Sequence, residues 1–419
     1  MERHSNIVAG YGCVSPATIN ILHLIIDDKF LEFVYRVFQE VEGVENRYVA
    51  LVGADMQHFK HIGRIPLWRA GGAAYADTPQ ATEDLEWCDV LVVHWWHIAA
   101  ANVVAKAPDS VIVVWSGWGG DYYDLLPGGD AKLYGEKTKE LLQQMRDTRK
   151  TQNTPTENIL NILRRIKAYL KRAFSKSISR VVTDRTFMIN RVDYFSAPIQ
   201  EDYELLKAAL GNQFRAVYIQ LNYGSVEESI APGQRELYGN DILLGNSATA
   251  TNNHLEALNM LSSIDVKDRK IIVPLSYGSQ EYGDALEKCG RRLLGSNFVP
   301  IRNFMPLAEY NSLISSCSIA IMNHRRQQAL ANIGSILCNG GKLFLDESSV
   351  VYKFLKKNGA YVYSVREIAE HGTEAFDPLS KAEKERNIEV INQVWGHDIV
   401  IDNVNKFVDR MRKHMAKNA

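Results

Sequence analysis

The stretch that decides the fold is DILLGNSATATNNHLEALN, residues 241–259: a short apolar run, a turn of small polar residues and an amphipathic run. A similar arrangement follows in the same half of the chain, where SIAIM (318–322) precedes NHRRQQALANIG (323–334). A strand that ends in such a turn before a helix offers free backbone N–H groups and the positive end of the helix dipole. Both stretches therefore predict anion-binding turns, and the paired arginines of the second favour a diphosphate held between them.

Strand and helix patterns alternate through the rest of the chain. Near-continuous apolar runs, such as 88–96 and 110–118, predict strands that are covered on both faces, hence parallel sheets with crossover helices. Periodicity lapses at 222–240, where Gly, Pro and Ser accumulate as in a linker. We predict an α/β protein of the GT-B type, with two Rossmann-like domains that face each other across a cleft. Their predicted bounds are 1–225 and 240–380, with C-terminal helices over 381–419.

Composition narrows the class of protein. The chain has 419 residues, 46% of them hydrophobic and 23% charged, with a net charge of −1, which fits two globular domains and argues against nucleic acid as a partner. Five dispersed cysteines without a CxxC pair are typical of reduced cytosolic thiols. Neither a spanning apolar run of about 18 residues nor a signal-peptide layout is present, so we expect a cytoplasmic protein.

Three motifs carry a resemblance to a known family: GNSATATNNHLEAL (245–258), VPLSYGSQEY (273–282) and LAEYNSLISSCSIAIMNHRRQQALANIG (307–334). Together they resemble the nucleotide-binding half of the TDP-N-acetylfucosamine:lipid II N-acetylfucosaminyltransferases, the 4-alpha-L-fucosyltransferase-like glycosyltransferase family 56. In the first half, HWW and WGGDYY lie where that family carries its His and its Trp-Gly-x-Asp. The resemblance implies transfer of N-acetylfucosamine from a TDP donor to a polyprenyl-diphosphate-linked saccharide, in the synthesis of enterobacterial common antigen or O-antigen.

The donor site is predicted at the two turns. Small residues allow close backbone approach to a phosphate, amides fix hydroxyl groups, and a guanidinium offers a forked pair of donors. One of the two arginines is expected to contact the diphosphate and the other to lie in solvent, and Asn253 has the alternative role of a helix cap. Tyr277 is a candidate for packing on a thymine ring, although an ordinary loop tyrosine fits nearly as well. The predicted donor-binding residues are Gly245, Asn246, Ser247, Asn253, Tyr277, Arg325, Arg326, Gln327, Gln328 and Asn332.

The acceptor side must supply a base if transfer proceeds with inversion. Asp121 on its glycine-rich loop is the favoured base and His94 at a strand end the second candidate, because either group can take a hydroxyl proton. Their alternatives are a turn-forming aspartate and a buried core histidine. No Glu–seven–Glu spacing occurs at the expected strand end, which tilts towards direct displacement but leaves the stereochemistry open. The predicted acceptor-binding residues are Asp27, Asp28, Trp95 and Trp118.

No metal or cofactor is expected. Asp27 and Asp28 are adjacent rather than spaced as DxD, and no other acids or histidines cluster like metal ligands. Preorganised donors that stabilise the departing nucleoside diphosphate would then replace a divalent ion. We predict a metal-independent transferase, with a transferase for another nucleotide sugar, an epimerase or a non-catalytic binding subunit as alternatives.

One segment predicts a membrane partner. Residues 157–180 place apolar side chains at helical spacing, and seven Lys or Arg but no acid occur between 158 and 183. A basic amphipathic helix suits an anionic bilayer surface or a polyprenyl-diphosphate head group, whereas the alternative is a core-packed helix with solvated charges. The expected location is therefore the inner face of the plasma membrane, as a peripheral protein. The residues expected at the membrane are Arg164, Arg165, Lys171 and Arg172.

Overall fold

The computed structural model describes residues 18–51, 62–63, 65–72, 74–152, 189–230 and 237–418. Within these residues the chain forms two sheets whose strands all pair in parallel. Helices cover both faces of each sheet, which explains why the strand sequences are apolar throughout. The predicted fold class, two Rossmann-like domains, is confirmed. Among the described helices, none combines the length and the apolar character needed to cross a bilayer.

The first sheet has the strand order β3-β2-β1-β4-β5-β6-β7. Its strands are β1 Ile19–Ile25, β2 Val44–Leu51, β3 Arg69–Gly71, β4 Val90–His94, β5 Ile112–Ser116, β6 Tyr194–Ser196 and β7 Val217–Tyr218. The helices in this part of the chain are α1 Leu31–Gln39, α2 Pro79–Trp87, α3 Ile98–Val104, α4 Glu136–Gln152 and α5 Gln200–Leu210. The order reverses between β1 and β4, so this sheet has its topological switch point there.

The second sheet has the order β10-β9-β8-β11-β12-β13 and reverses between β8 and β11. Its strands are β8 Asp241–Leu244, β9 Ile271–Pro274, β10 Phe298–Ile301, β11 Cys317–Met322, β12 Lys342–Leu345 and β13 Tyr363–Ser364. Its helices are α6 His254–Ser262, α7 Gln280–Leu294, α8 Leu307–Ile314, α9 Leu330–Cys338, α10 Val350–Lys357 and α11 Val365–His371, followed by α12 Lys381–Trp395 and α13 His397–Asn418.

Short helical turns join several of these elements. The 3-10 turns lie at Tyr75–Asp77, Tyr123–Leu125, Gly129–Leu133, Gly211–Gln213, Ala250–Asn252, Gly295–Asn297 and Gly372–Phe376, and a π turn lies at Val226–Ile230. The turns at Tyr123–Leu125 and Ala250–Asn252 follow strands of different sheets, and both carry residues of the candidate site described below.

Two helices cross between the halves of the chain: α4, from the first half, packs on the second sheet, and α13, from the second half, packs on the first sheet. Helix α4 places Leu141 in the apolar layer under α6 and α7 on the second sheet. Helix α13 places Val400, Val404, Phe407 and further apolar residues against β1, β4 and α1 of the first sheet. These positions recur every three or four residues, as expected for one buried helix face. The two domains therefore exchange one helix each, and the predicted linear bounds remain a proposal.

Candidate functional site

Tight turns shape the carboxyl edge of the first sheet. Trp95, directly after β4, has a positive φ of 64°, an uncommon conformation for a bulky residue. The Asp121 carboxylate stabilises this region: Oδ2 accepts from the Trp96 backbone N–H at 2.9 Å and from Trp115 Nε1 at 2.8 Å, and Oδ1 accepts from the Trp118 backbone N–H at 2.9 Å. Burial raises the Asp121 pKa, while these hydrogen bonds oppose the rise. Asp121 thus holds three segments of the edge together, and its role as a base stays a prediction.

His94 lies at the end of β4 but faces a buried partner. Its Nε2 is 3.0 Å from His23 Nδ1, and His23 Nε2 is 3.1 Å from Asn46 Oδ1. Asn46 donates its amide to the Phe38 carbonyl, so its oxygen must accept and His23 Nε2 must carry the proton. In the neutral pair His94 Nε2 is then the donor and His94 Nδ1 a bare acceptor, without a partner among the described residues. Burial lowers the pKa of His94 well below its usual value.

Aromatic rings cluster next to this edge. Phe30 lies 5.7 Å from the Trp118 ring and 4.7 Å from the Tyr223 ring, and Trp95 lies 6.1 Å from Trp118. We call Phe30, Trp95, Trp118 and Tyr223 the aromatic wall. Trp118 Nε1 is buried without a partner among the described residues. Rings with such polar groups suit a saccharide, which offers both apolar faces and hydroxyl groups.

The two predicted acceptor carboxylates lie in the loop that follows β1. Asp27 Oδ1 accepts from the Ile62 backbone N–H at 3.0 Å, and Asp28 Oδ1 accepts from the Phe30 backbone N–H at 3.0 Å. Both side chains therefore shape the loop that carries Phe30. Whether they also contact an acceptor stays a prediction.

The turn after β8 lies at the carboxyl edge of the second sheet. Gly245 has a φ of 67° and donates its N–H to Ile321 of β11, which joins the two strands at the switch point. Asn246 accepts from Gln328 Nε2 at 2.7 Å, and the buried Ser247 hydroxyl donates to Thr249. The turn thus places small residues where the strand order reverses. The N–H groups of Gly245 and Asn246 are already bonded, to Ile321 and to the Asn252 side chain, so donor binding by this turn stays a prediction.

Asn253 has an interdomain role. This residue precedes α6 with a positive φ of 50°, and its side chain does not cap the helix. Its Nδ2 donates to the carbonyls of Leu133 and Asn323, and its Oδ1 accepts from the Gly135 backbone N–H. All of these bonds would compete with a donor ligand, so donor contact by the Asn253 side chain has no support in this geometry.

The two arginines after β11 differ sharply. Arg325 lies 3.3 Å from the Asp346 carboxylate and donates to the carbonyl of Tyr134 at 3.2 Å, which ties it to the chain before α4. Arg326 is half-buried, and the one hydrogen bond that its side chain makes to a described residue is a long contact from Nε to Thr251 Oγ1 at 3.4 Å. No carboxylate of the described residues lies within salt-bridge distance of Arg326, although the buried Asp202 carboxylate interacts with it electrostatically over a longer distance. Arg326 is therefore the arginine that can meet an incoming anion.

Helix α9 begins beside Arg326. Its first flanking residue, Ala329, has a positive φ of 61°, and no side chain caps the helix. The first N–H groups of a helix have no partner within it, so this N-terminus presents donors and a positive dipole end. We call Gly245–Ser247, Arg326 and the start of α9 the anion cradle, and anion binding there stays a prediction.

The remaining predicted donor residues make bonds within the protein. Gln327 donates its Nε2 to Tyr223 at 2.9 Å, and Gln328 accepts from Thr251 at 2.8 Å. Asn332 donates to Tyr310 on α8 at 3.0 Å. These three residues hold the cradle in shape. Direct contact with a donor by their side chains stays a prediction.

Two exposed aromatic rings stand at neighbouring strand ends beside the cradle. Tyr277, after β9, is 77% exposed, and Phe304, after β10, is 78% exposed. The backbone of Tyr277 accepts from the Ala248 N–H at 2.7 Å, which joins its loop to the turn after β8. Single exposed rings are normal on protein surfaces, so contact of either ring with a ligand stays a prediction. Sequence reasoning singled out Tyr277 but missed Phe304, whose position after a strand was the available signal.

Some predictions lie beyond what the structure describes. Segment 157–180, with the expected membrane residues, falls outside the described residues. Among the described residues, no group of three or more His, Cys, Asp or Glu side chains is placed to hold a metal ion. The predicted membrane contacts lie in segment 157–180 and so stay predictions: Arg164, Arg165, Lys171 and Arg172.

Two parallel sheets with switch points and polar turns at their carboxyl edges define the GT-B class of fold. Within it, residues 222–363 match the model of the 4-alpha-L-fucosyltransferase family, glycosyl transferase group 56. The resemblance expected from the sequence is confirmed over this range, which includes both cradle turns.

Solved structures of the same class match almost the whole chain. HepE from Anabaena, solved with UDP and glucose, has a TM-score of 0.58 and 11% identity, covering 94% of this chain and 100% of that one. The UDP-forming alpha,alpha-trehalose-phosphate synthase of Burkholderia xenovorans has a TM-score of 0.55 and 12% identity, covering 94% and 100%. An epimerase-like protein of Listeria monocytogenes, described as a UDP-N-acetylglucosamine 2-epimerase, reaches 0.52 and 10% identity, covering 96% and 97%. Identities this low show the fold alone.

Proposed function

We propose that this protein is a glycosyltransferase that moves an amino-deoxyhexose from a nucleoside diphosphate onto a polyprenyl-diphosphate-linked saccharide of a bacterial surface polysaccharide. By resemblance the sugar is N-acetylfucosamine and the donor is a TDP-sugar. The observation that carries the proposal is Arg326, a half-buried cation with no carboxylate of the described residues within salt-bridge distance, at a strand-order reversal and beside an uncapped helix N-terminus. Ligands of open parallel sheets bind at such reversals.

The chemistry fits this arrangement. When the glycosidic bond to the nucleotide breaks, negative charge grows on the leaving diphosphate, and fixed donors stabilise that charge. Arg326 and the α9 N-terminus supply such donors from the second domain. The aromatic wall of the first domain is the corresponding place for the acceptor saccharide. Because these groups suffice in kind, we propose a metal-independent transfer.

A binding panel tests the donor class. Wild-type protein is heated with TDP, UDP, GDP or ADP, and a ligand that binds the folded state raises the midpoint of unfolding by mass action. We expect the largest rise with TDP and a much smaller one in Arg326→Ala. Absence of any rise with all four nucleotides would contradict the proposal.

Turnover separates the enzyme from its alternatives. Release of TDP from the TDP-sugar should depend on the lipid-linked acceptor and should persist in EDTA. Binding without acceptor-dependent release would favour a non-catalytic nucleotide-sugar-binding subunit. Faster release of nucleotide from another nucleotide sugar than from the TDP-sugar would favour a different donor. Loss of activity in EDTA that Mg²⁺ restores would show that the metal-independent proposal is wrong.

We further propose that segment 157–180 holds the protein on the anionic inner face of the plasma membrane. Each basic residue near such a surface contributes about 1 kcal/mol, so four changes to glutamine should release the protein from phosphatidylglycerol vesicles without affecting TDP binding. The matched control replaces four exposed basic residues elsewhere and should stay bound. Equal release by both variants would mean that net charge alone governs binding. The test set is Arg164, Arg165, Lys171 and Arg172, and the control set is Arg292, Lys353, Lys356 and Lys381.

A further inference from the structure

The peptide bond between Arg326 and Gln327 is held at both of its polar ends. Its N–H, on Gln327, donates to the Tyr123 hydroxyl at 2.8 Å. Its carbonyl, on Arg326, accepts from His324 Nδ1 at 2.9 Å. Tyr123 follows β5 of the first sheet, whereas His324 belongs to the loop after β11. Because a peptide unit is planar, fixing both ends sets the orientation of the backbone from which the Arg326 side chain leaves.

Tyr123 is itself held from behind. Its oxygen accepts the Gln327 N–H, so its own proton is available, and it donates that proton to Asp202 Oδ1 at 2.6 Å. Asp202 is fully buried near the start of α5, where its second oxygen accepts from the Tyr122 hydroxyl at 2.8 Å. Tyr122 and Tyr123 thus make equivalent bonds to one carboxylate. Of the two hydroxyl groups, the one on Tyr123 also accepts the N–H of Gln327, the residue next to Arg326.

Gln327 has little room to move against the first domain. Its side chain is 2% exposed, its Nε2 bonds Tyr223 of the aromatic wall, and its Oε1 has no partner among the described residues. Gly119, with a φ of 94°, lies directly against it, and a methyl group added there would collide with Gln327 Oε1. The first domain therefore fits around Gln327 closely enough to determine where that residue sits.

We propose that Tyr123, supported by Asp202, is a positioning residue for the donor diphosphate: through the Arg326–Gln327 peptide it orients the Arg326 guanidinium into the cradle. The binding site for the nucleotide is then complete only while the first domain contacts the second. This inference rests on the proposed function, since it assigns Arg326 to a diphosphate. It adds that donor affinity is governed by a residue that does not touch the donor.

The test compares Tyr123→Phe with Tyr122→Phe. Each change removes one buried hydroxyl bonded to Asp202, and both should lower thermal stability. Tyr123→Phe should lower it more, because it also leaves the Gln327 N–H without its acceptor. Tyr123→Phe should weaken TDP binding, measured by calorimetry, about tenfold and raise the donor KM while kcat and the acceptor KM stay within about twofold. Tyr122→Phe should leave TDP affinity within about twofold of wild type. Equal TDP affinities in the two variants would overturn the inference.

A second pair of variants acts from the other side. Gly119→Ala should displace Gln327 and weaken TDP binding, whereas Gly211→Ala introduces a side chain at a φ of 55° with nothing within 4 Å and should not. This pair decides the matter if Tyr123→Phe does not fold. Normal TDP affinity in folded Gly119→Ala protein would contradict the inference. Wild-type protein that binds no nucleoside diphosphate would instead contradict the proposed function itself.

Discussion

The carboxyl edges of the two sheets differ in what their polar groups do. At the edge of the first sheet, Asp121 accepts three hydrogen bonds from the protein, and His94 is buried against His23. At the edge of the second, the Arg326 side chain makes one long hydrogen bond to a described residue. The first edge is built as a rigid wall, while the second keeps a strong donor available. This difference supports the proposal that the second domain recognises charge and the first recognises shape.

The largest expected effect tests whether Asp121 takes part in catalysis or only holds the edge of the first sheet together. Asp121→Asn should lower turnover about 10²- to 10⁴-fold if Asp121 is the base. Three N–H donors surround the carboxylate, so the asparagine amide would oppose one of them. Stability should therefore also fall, by about 1–3 kcal/mol, which urea unfolding measures. Near-normal turnover in folded protein would remove Asp121 from the mechanism and leave His94 as the candidate.

The pH profile provides a control for the same residue. Trp115→Phe removes one of the hydrogen bonds that lower the Asp121 pKa. A base must be ionised, so activity is lost as pH falls through its pKa, and this acidic limb should move to higher pH in the variant. An acidic limb that does not move would indicate that Asp121 is purely architectural.

The next effect compares the two arginines of the second edge. Arg326→Ala should weaken TDP binding and slow transfer about 10- to 150-fold, since a hydrogen bond to a charged group contributes about 1.5–3 kcal/mol. Arg325→Ala, which loses the contacts to Asp346 and Tyr134, should lower stability with TDP affinity nearly unchanged. Isothermal calorimetry with TDP distinguishes them. Equal losses of affinity would mean that the two guanidinium groups act together on the diphosphate.

A smaller effect compares the buried histidines of the two domains. Burial lowers the pKa of His23 from 6.5 to about 4 and that of His254 to about 3. The unfolded chain then binds protons that the folded one does not, so their contribution to stability is full above pH 6.5 and declines as pH falls towards these values. Asp202, whose pKa burial raises to about 7, acts in the opposite sense.

Substitution isolates each contribution. His23→Gln or His254→Gln should reduce the slope of the unfolding free energy against pH below pH 6.5. The reduction corresponds to at most one proton, about 1.4 kcal/mol per pH unit. Urea unfolding between pH 4.5 and 7.5 measures the slope. A slope unchanged by either replacement would show that the histidine is already protonated in the folded state.

The smallest effect concerns the exposed rings at the rim. If Tyr277 or Phe304 stacks on the nucleobase, its change to alanine should weaken TDP binding about 2- to 10-fold, the contribution of one aromatic contact. Inorganic pyrophosphate, which has no base, serves as the matched ligand and should bind the variants and wild type equally. Weaker pyrophosphate binding would show that the substitution disturbs the cradle rather than the base.

Much of this architecture was predictable, because local signals carry it. The parallel sheets follow from β-branched runs that have no polar face, and the cradle turn follows from Gly245 and the residues around it. The role of Asp121 and the interdomain contacts of Asn253 were not predictable. Their partners lie elsewhere in the chain, as when Asn253 bonds Gly135, and residue type does not encode which segments meet. The difference between Arg325 and Arg326 likewise depends on the distant Asp346.

The packing of α13 on the first sheet has a consequence for biosynthesis. Val400, Val404 and Phe407 are fully buried against strands that leave the ribosome among the first. About 180 residues separate β7 from this helix, which at about 5–20 residues per second corresponds to roughly 10–40 s of translation. During that interval one apolar face of the nascent first domain lacks its cover. The growing chain therefore exposes an apolar surface of the kind that chaperones bind until α13 emerges.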